Sequence, residues 1–98
     1  MLAALGLVVG GAYVVAMVWP WSRPCEEQQS AASIAWRAYA ETESGPRRAA
    51  GLGIAQLAAR DVAAALEEAD RLGPPSAPNT VHREAMERLA LAEAACRP

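Results

Sequence analysis

The sequence predicts an all-α protein in which a single transmembrane helix precedes a small helical domain outside the cytoplasm. Residues 1–22 contain no charged residue and no histidine, whereas the rest of the chain carries 9 basic and 11 acidic residues. In that second part, apolar residues recur with the helical period of about 3.6 residues, and no strand-like alternation occurs. Two cysteines, Cys25 and Cys96, flank it.

Residues 1–21 are predicted to be a membrane anchor. As a helix, the apolar run would be about 28 Å long, close to the thickness of the hydrocarbon core. Trp19 and Trp21 would then lie at the membrane interface. The alternative is a cleaved signal peptide, which requires a basic segment before the apolar run and small residues at the cleavage site. Because neither is present, a retained anchor in contact with the lipid bilayer is favoured.

One face of the predicted anchor carries small residues. Ala3, Gly6 and Gly10 recur at helical spacing, and Tyr13 follows on the same side. Small residues of this kind let a second membrane helix approach closely. We therefore expect the anchor to pack against a helix of another membrane protein subunit.

Residues 22–98 are predicted to form one domain of about three helices. Pro24 opens the first helix, because a proline at that position lacks an N–H that would be unpaired anyway. Gly45 and Gly73 end the first and second helices, since glycine readily adopts the left-handed conformation found there. The predicted helices span residues 24–44, 46–72 and 80–96, with a proline-rich connector at 73–79.

The expected core of this domain is thin, because its apolar residues are mostly alanines, which bury little area. A domain of this size usually needs a covalent staple or a partner. The larger candidates for the core are Ile34, Trp36, Tyr39, Leu52, Ile54, Leu57, Val62, Leu66, Leu72, Val81, Met86, Leu89 and Leu91.

The two cysteines are predicted to form a disulfide that closes the domain; the alternative is a pair of reduced thiols. In an arrangement of three antiparallel helices, Cys25 and Cys96 would lie at opposite ends of the bundle, too far apart to bond. Residues 73–80 would span about 25 Å as extended chain, which equals the length of the last helix. We therefore expect this connector to run back along the bundle and bring the cysteines together.

The residues able to carry chemistry do not form a recognisable catalytic or metal-binding pattern. His82 is the only histidine and is expected to be a solvated first-turn residue. The acidic run Glu67, Glu68 and Asp70 is expected on a solvent-facing side of its helix. Ser30, Ser33 and Ser44 have no neighbouring base in a known motif. The sequence thus predicts a protein that is not an enzyme, with no cofactor and no metal, and its near-neutral charge gives no basic patch for nucleic acid.

Two signals in the sequence disagree about the side of the membrane on which the domain lies. Arg23 and Arg37 follow the anchor and favour the cytoplasm by the positive-inside rule, whereas a disulfide requires an oxidising compartment. We expect the protein in the cell inner membrane with a periplasmic domain.

The expected function is that of a non-catalytic, single-pass accessory subunit of a larger membrane protein complex, such as an energy-transducing assembly. Its domain would brace an extracytoplasmic surface of that complex. The alternative is a self-associating, membrane-anchored spacer, of which the inner-membrane spanins of phages are one example.

Overall fold

The computed structural model describes residues 23–98. This part of the chain forms four helices and no strand, and it confirms the all-α prediction: α1 (Arg23–Glu41), α2 (Gly45–Ala58), α3 (Val62–Leu72) and α4 (Thr80–Cys96). None of these described helices is long and apolar enough to cross a membrane. The predicted anchor, residues 1–21, lies outside the described residues, together with its packing and interface residues Ala3, Gly6, Gly10, Tyr13, Trp19 and Trp21.

The helices run alternately up and down, and α1 packs between α4 and α2. Cys25 near the start of α1 is bonded to Cys96 at the end of α4. At the opposite end, Asn79 before α4 donates a hydrogen bond from Nδ2 to Oγ1 of Thr42, which follows α1, over 3.1 Å. The helices α1 and α4 are therefore antiparallel, with a covalent link at one end and a polar link at the other.

The prediction of three helices is wrong, because the chain turns within the expected helix over residues 46–72. After α2, the N–H groups of Arg60 and Asp61 both donate to the carbonyl of Leu57. Asp61 then caps α3, its Oδ1 accepting from the N–H of Ala64 over 3.1 Å. The four-residue spacing from Ala58 to Val62 preserves the apolar period across the turn, so periodicity alone did not reveal it.

This turn also corrects the expected path of the connector. The carbonyl of Gly73 accepts from Arg47 near the start of α2, and Asn79 bonds Thr42 just before that helix. Both ends of the connector therefore lie at the same end of the bundle, and it does not run back along the bundle's length. The reversal between α2 and α3 supplies the change of direction that brings Cys25 and Cys96 together.

The core lies between the packed helices, where α1 contacts α2 and α4 and α3 contacts the same two helices, and small residues fill much of it. Its largest fully buried side chains are Trp36, Tyr39, Ile54 and Leu89. The other members of the buried cluster are Ala32, Ala55, Ala58, Val62, Ala65, Ala69, Ala85 and Ala92. Because alanines allow helices to approach closely, a few large residues suffice to fill the space between four short helices.

Three of the predicted core residues lie on the surface instead. Ile34 is 64% exposed, Leu91 is 49% exposed and Leu52 is 37% exposed. Five others are partly buried against the core: Leu57, Leu66, Leu72, Val81 and Met86. Residue type alone could not separate these groups, because the choice depends on which face of each helix meets a neighbour.

Two glycines of α2 provide a matched pair of stability tests. A Cβ added at Gly51 would lie 3.0 Å from Cβ of Ala40, whereas one added at Gly53 would meet nothing within 4 Å. We expect Gly51→Ala to lower the free energy of unfolding by about 1 kcal/mol, because α1 and α2 must move apart. Gly53→Ala should raise it by up to about 1 kcal/mol, because alanine is the better helix former. Urea unfolding followed by circular dichroism measures both, and equal effects would contradict the close crossing.

Candidate functional site

The predicted disulfide between Cys25 and Cys96 is present. Their Cα atoms are 4.6 Å apart, within the range that disulfides adopt, and the residues are separated by 71 positions in sequence. Since both described cysteines are in this bond, residues 23–98 contain no free thiol. The two ends of the domain are thereby joined next to residue 22, where the predicted anchor would be attached.

At the other end of the bundle, the guanidinium of Arg47 connects three segments. Its Nε and Nη2 donate to Oη of Tyr39 over 3.2 and 2.8 Å, and Nε also donates to Oε2 of Glu43 over 2.9 Å. Its Nη1 and Nη2 donate to the carbonyls of Leu72 and Gly73 over 3.3 and 3.0 Å. Arg47 thus caps the carboxyl end of α3 and ties it to α1.

The charge of Arg47 suits this position, although it does not suit its own helix. A cation in the first turn of α2 faces the positive end of that helix dipole, which is unfavourable. The same cation reaches the negative end of α3, where the dipole favours it. Hydrogen bonding to Tyr39 raises the pKa of Arg47, partly opposed by burial. Arg47 was not predicted from the sequence, where the available signal was a basic residue in the first turn of a helix.

The expectation that His82 is a solvated residue is wrong. Its ring lies 4.9 Å from the ring of Tyr39 and 5.8 Å from that of Trp36, in edge-to-face arrangements, and the side chain is half-buried. Burial lowers the pKa of His82, the charge of Arg47 lowers it further, and Glu43 opposes these effects. The neutral imidazole therefore acts as part of an aromatic cluster that joins α1 to α4.

This lowered pKa predicts a loss of stability in acid. In the unfolded chain His82 titrates near 6.5, whereas the folded protein takes up the proton only at lower pH. The contribution is therefore fully present above pH 6.5 and is lost as the pH falls through the folded pKa. Urea unfolding at pH 8 and pH 5 should show a smaller pH dependence for His82→Phe, which keeps a ring but does not titrate. The same dependence in both proteins would contradict this role.

A groove lined mainly by apolar side chains lies between α1 and α4, and we call it the α1/α4 groove. Its volume is about 400 Å³. It is lined by Ala31, Ile34, Ala35 and Ala38 of α1 and by Val81, Glu84 and Arg88 of α4. These α1 residues recur at helical spacing, which places them on one face. The exposed side chain of Ile34 lies among alanines on this face, so it projects from the surface and another protein could pack around it.

The other residues considered from the sequence are dispersed. Glu67 and Asp70 are exposed, and Glu68 forms a surface ion pair with Arg71 over 2.6 Å. Ser30 and Ser33 line a separate shallow depression beside Arg37 on α1, and exposed Ser44 precedes α2. Within residues 23–98, no three His, Cys, Asp or Glu side chains come together as a metal site.

No protein family, curated protein or solved structure matches this chain.

Proposed function

We propose that this protein is a non-catalytic, membrane-anchored accessory subunit of a larger membrane protein complex, with its helical domain in an oxidising compartment such as the periplasm. The observation that carries the proposal is the Cys25–Cys96 bond. It makes the domain a closed unit whose two ends meet beside the predicted anchor, and a disulfide of this kind is stable outside the cytoplasm.

The two cysteines, Arg47 and His82 support a structural role, because each of these side chains is engaged in holding helices together. Both cysteines are bonded to each other, Arg47 caps α3, and His82 packs on Trp36 and Tyr39. These contacts between helices make the domain rigid. A rigid domain is what bracing a neighbouring subunit requires.

The alternative function, a self-associating spacer in the form of a long rod with intermolecular cysteine bonds, is less consistent with these contacts. The cysteines are paired within one chain, and the four described helices fold back on one another. A rod would instead need helices that continue in one direction.

Isolation from native membranes tests the proposal. The full chain, extracted in a mild detergent and purified, should migrate in a large assembly whose other subunits mass spectrometry identifies. Gly6→Ile with Gly10→Ile should release it, because bulky residues block close approach of a second membrane helix. Ala12→Ile, on the opposite side of the predicted anchor helix, is the matched control. Migration of the unmodified protein without any other subunit contradicts the proposal.

A further inference from the structure

We propose that the α1/α4 groove is the contact surface for a second copy of this chain, in a symmetric dimer whose α4 helices are antiparallel. This inference concerns contacts between copies and does not depend on the partner complex proposed above. Four side chains of α4 form this surface, of which three are exposed and Val81 is partly buried. Val81, Glu84, Arg88 and Leu91 follow one another at intervals of three and four residues, so they form one stripe along the helix.

The charges of this stripe lack partners in the described chain. Glu84 and Arg88 are both exposed, and neither side chain takes part in an ion pair within residues 23–98. Both line the groove beside α1. Leu91, nearly half exposed, continues the stripe next to them. An apolar surface with a central acidic and a central basic residue is thus available to a partner.

A second copy complements this stripe when it is turned about a two-fold axis at the level of residue 86. In such an antiparallel pair, positions equidistant from the axis face each other. Glu84 of one copy then faces Arg88 of the other, and Val81 faces Leu91, each contact occurring twice. Because Cys25 is bonded to Cys96 and Thr42 contacts Asn79, Ile34 lies at about the level of residue 87 of α4, so the two Ile34 side chains also meet close to the axis. The same two-fold rotation therefore pairs the opposite charges and also buries the apolar residues of both copies.

This dimer restricts how the domains lie when both anchors enter one membrane. The two-fold axis must then run along the membrane normal, and it is perpendicular to α4. The helices therefore lie along the membrane surface, with the two Cys25–Cys96 ends at opposite ends of the dimer.

Charge exchange tests the pairing, with the full chain in detergent micelles studied by sedimentation velocity. The unmodified protein should be a dimer. Glu84→Arg or Arg88→Glu alone should weaken it at least about tenfold, because each places like charges opposite each other. The double variant should dimerise again. An equimolar mixture of the two single variants should form a mixed dimer, since the two arginines of one face the two glutamates of the other.

Glu67→Arg, at an exposed position of α3, makes the same change of charge away from the groove and should leave the dimer intact. Circular dichroism should show that all variants retain their helices. A monomeric unmodified protein overturns the proposal. A dimer that persists in both single variants also overturns it, because association would then rest on another surface such as the anchor.

Discussion

Removal of the Cys25–Cys96 bond is expected to lower the free energy of unfolding by about 4 kcal/mol. The bond joins residues separated by 71 positions, and loop-closure entropy for a loop of that length corresponds to about 4.4 kcal/mol. Small domains are stable by only about 5–15 kcal/mol in total. With a core built largely of alanines, this domain should lose most of its stability when the bond is reduced.

Thermal unfolding with and without a reductant measures this effect. The variant Cys25→Ala with Cys96→Ala should match the reduced unmodified protein, and reductant should not change it further. On a non-reducing gel, the unmodified protein should migrate faster than the variant, as a compact monomer. Equal stability of the oxidised and reduced proteins, or a disulfide-linked dimer on the gel, would contradict an intramolecular bond of this importance.

Replacement of Arg47 by methionine is expected to lower the free energy of unfolding by about 3 kcal/mol. The change leaves the hydroxyl of fully buried Tyr39 without its donors, and it leaves the carbonyls of Leu72 and Gly73 without a cap. An unpaired buried polar group costs about 1–3 kcal/mol, and hydrogen bonds to a charged group contribute about 1.5–3 kcal/mol. Methionine retains most of the apolar length, so the loss reports on the polar contacts.

The adjacent Arg48 is a matched control, because its side chain is exposed and makes no hydrogen bond or ion pair within residues 23–98. Arg48→Met should change stability by no more than about 0.5 kcal/mol. A double-mutant cycle of Arg47→Met with Tyr39→Phe should give a coupling of about 1 kcal/mol or more, because either substitution alone removes both hydrogen bonds between the two side chains. Additive effects would mean that the Arg47–Tyr39 contact contributes little.

The elements that could be predicted from the sequence are those with a local cause. Gly73 has a φ angle of +73°, a value that glycine adopts without strain, and α3 ends beside it as predicted. Gly45, with a φ angle of +62°, was expected to end the first helix, but α1 ends at Glu41 and Gly45 begins α2. Leu89 was predicted as a core residue of α4, and it is buried together with Ala85 and Ala92. The disulfide was predicted correctly, although the path expected for the connector was wrong.

The features that escaped prediction depend on contacts between distant segments. The turn at Asp61 kept the apolar period intact, so the pattern of a single long helix remained satisfied. Ile34 and Leu91 resemble core residues by type, yet no other described helix covers them. Solvation of His82 was inferred from its place in a first turn, without knowledge that Trp36 and Tyr39 would lie beside it.

The sequence by itself determined an all-helical domain, five of its eight helix ends to within one residue and a cysteine pair positioned to join its two ends, because glycine, proline and apolar spacing act over a few residues. Only the tertiary structure decided that Arg47, unfavourable at the start of its own helix, caps the end of α3, and that an acidic and a basic residue stand exposed along the α1/α4 groove. These outcomes depend on the reversal between α2 and α3, since it sets which helix ends meet and which faces stay open.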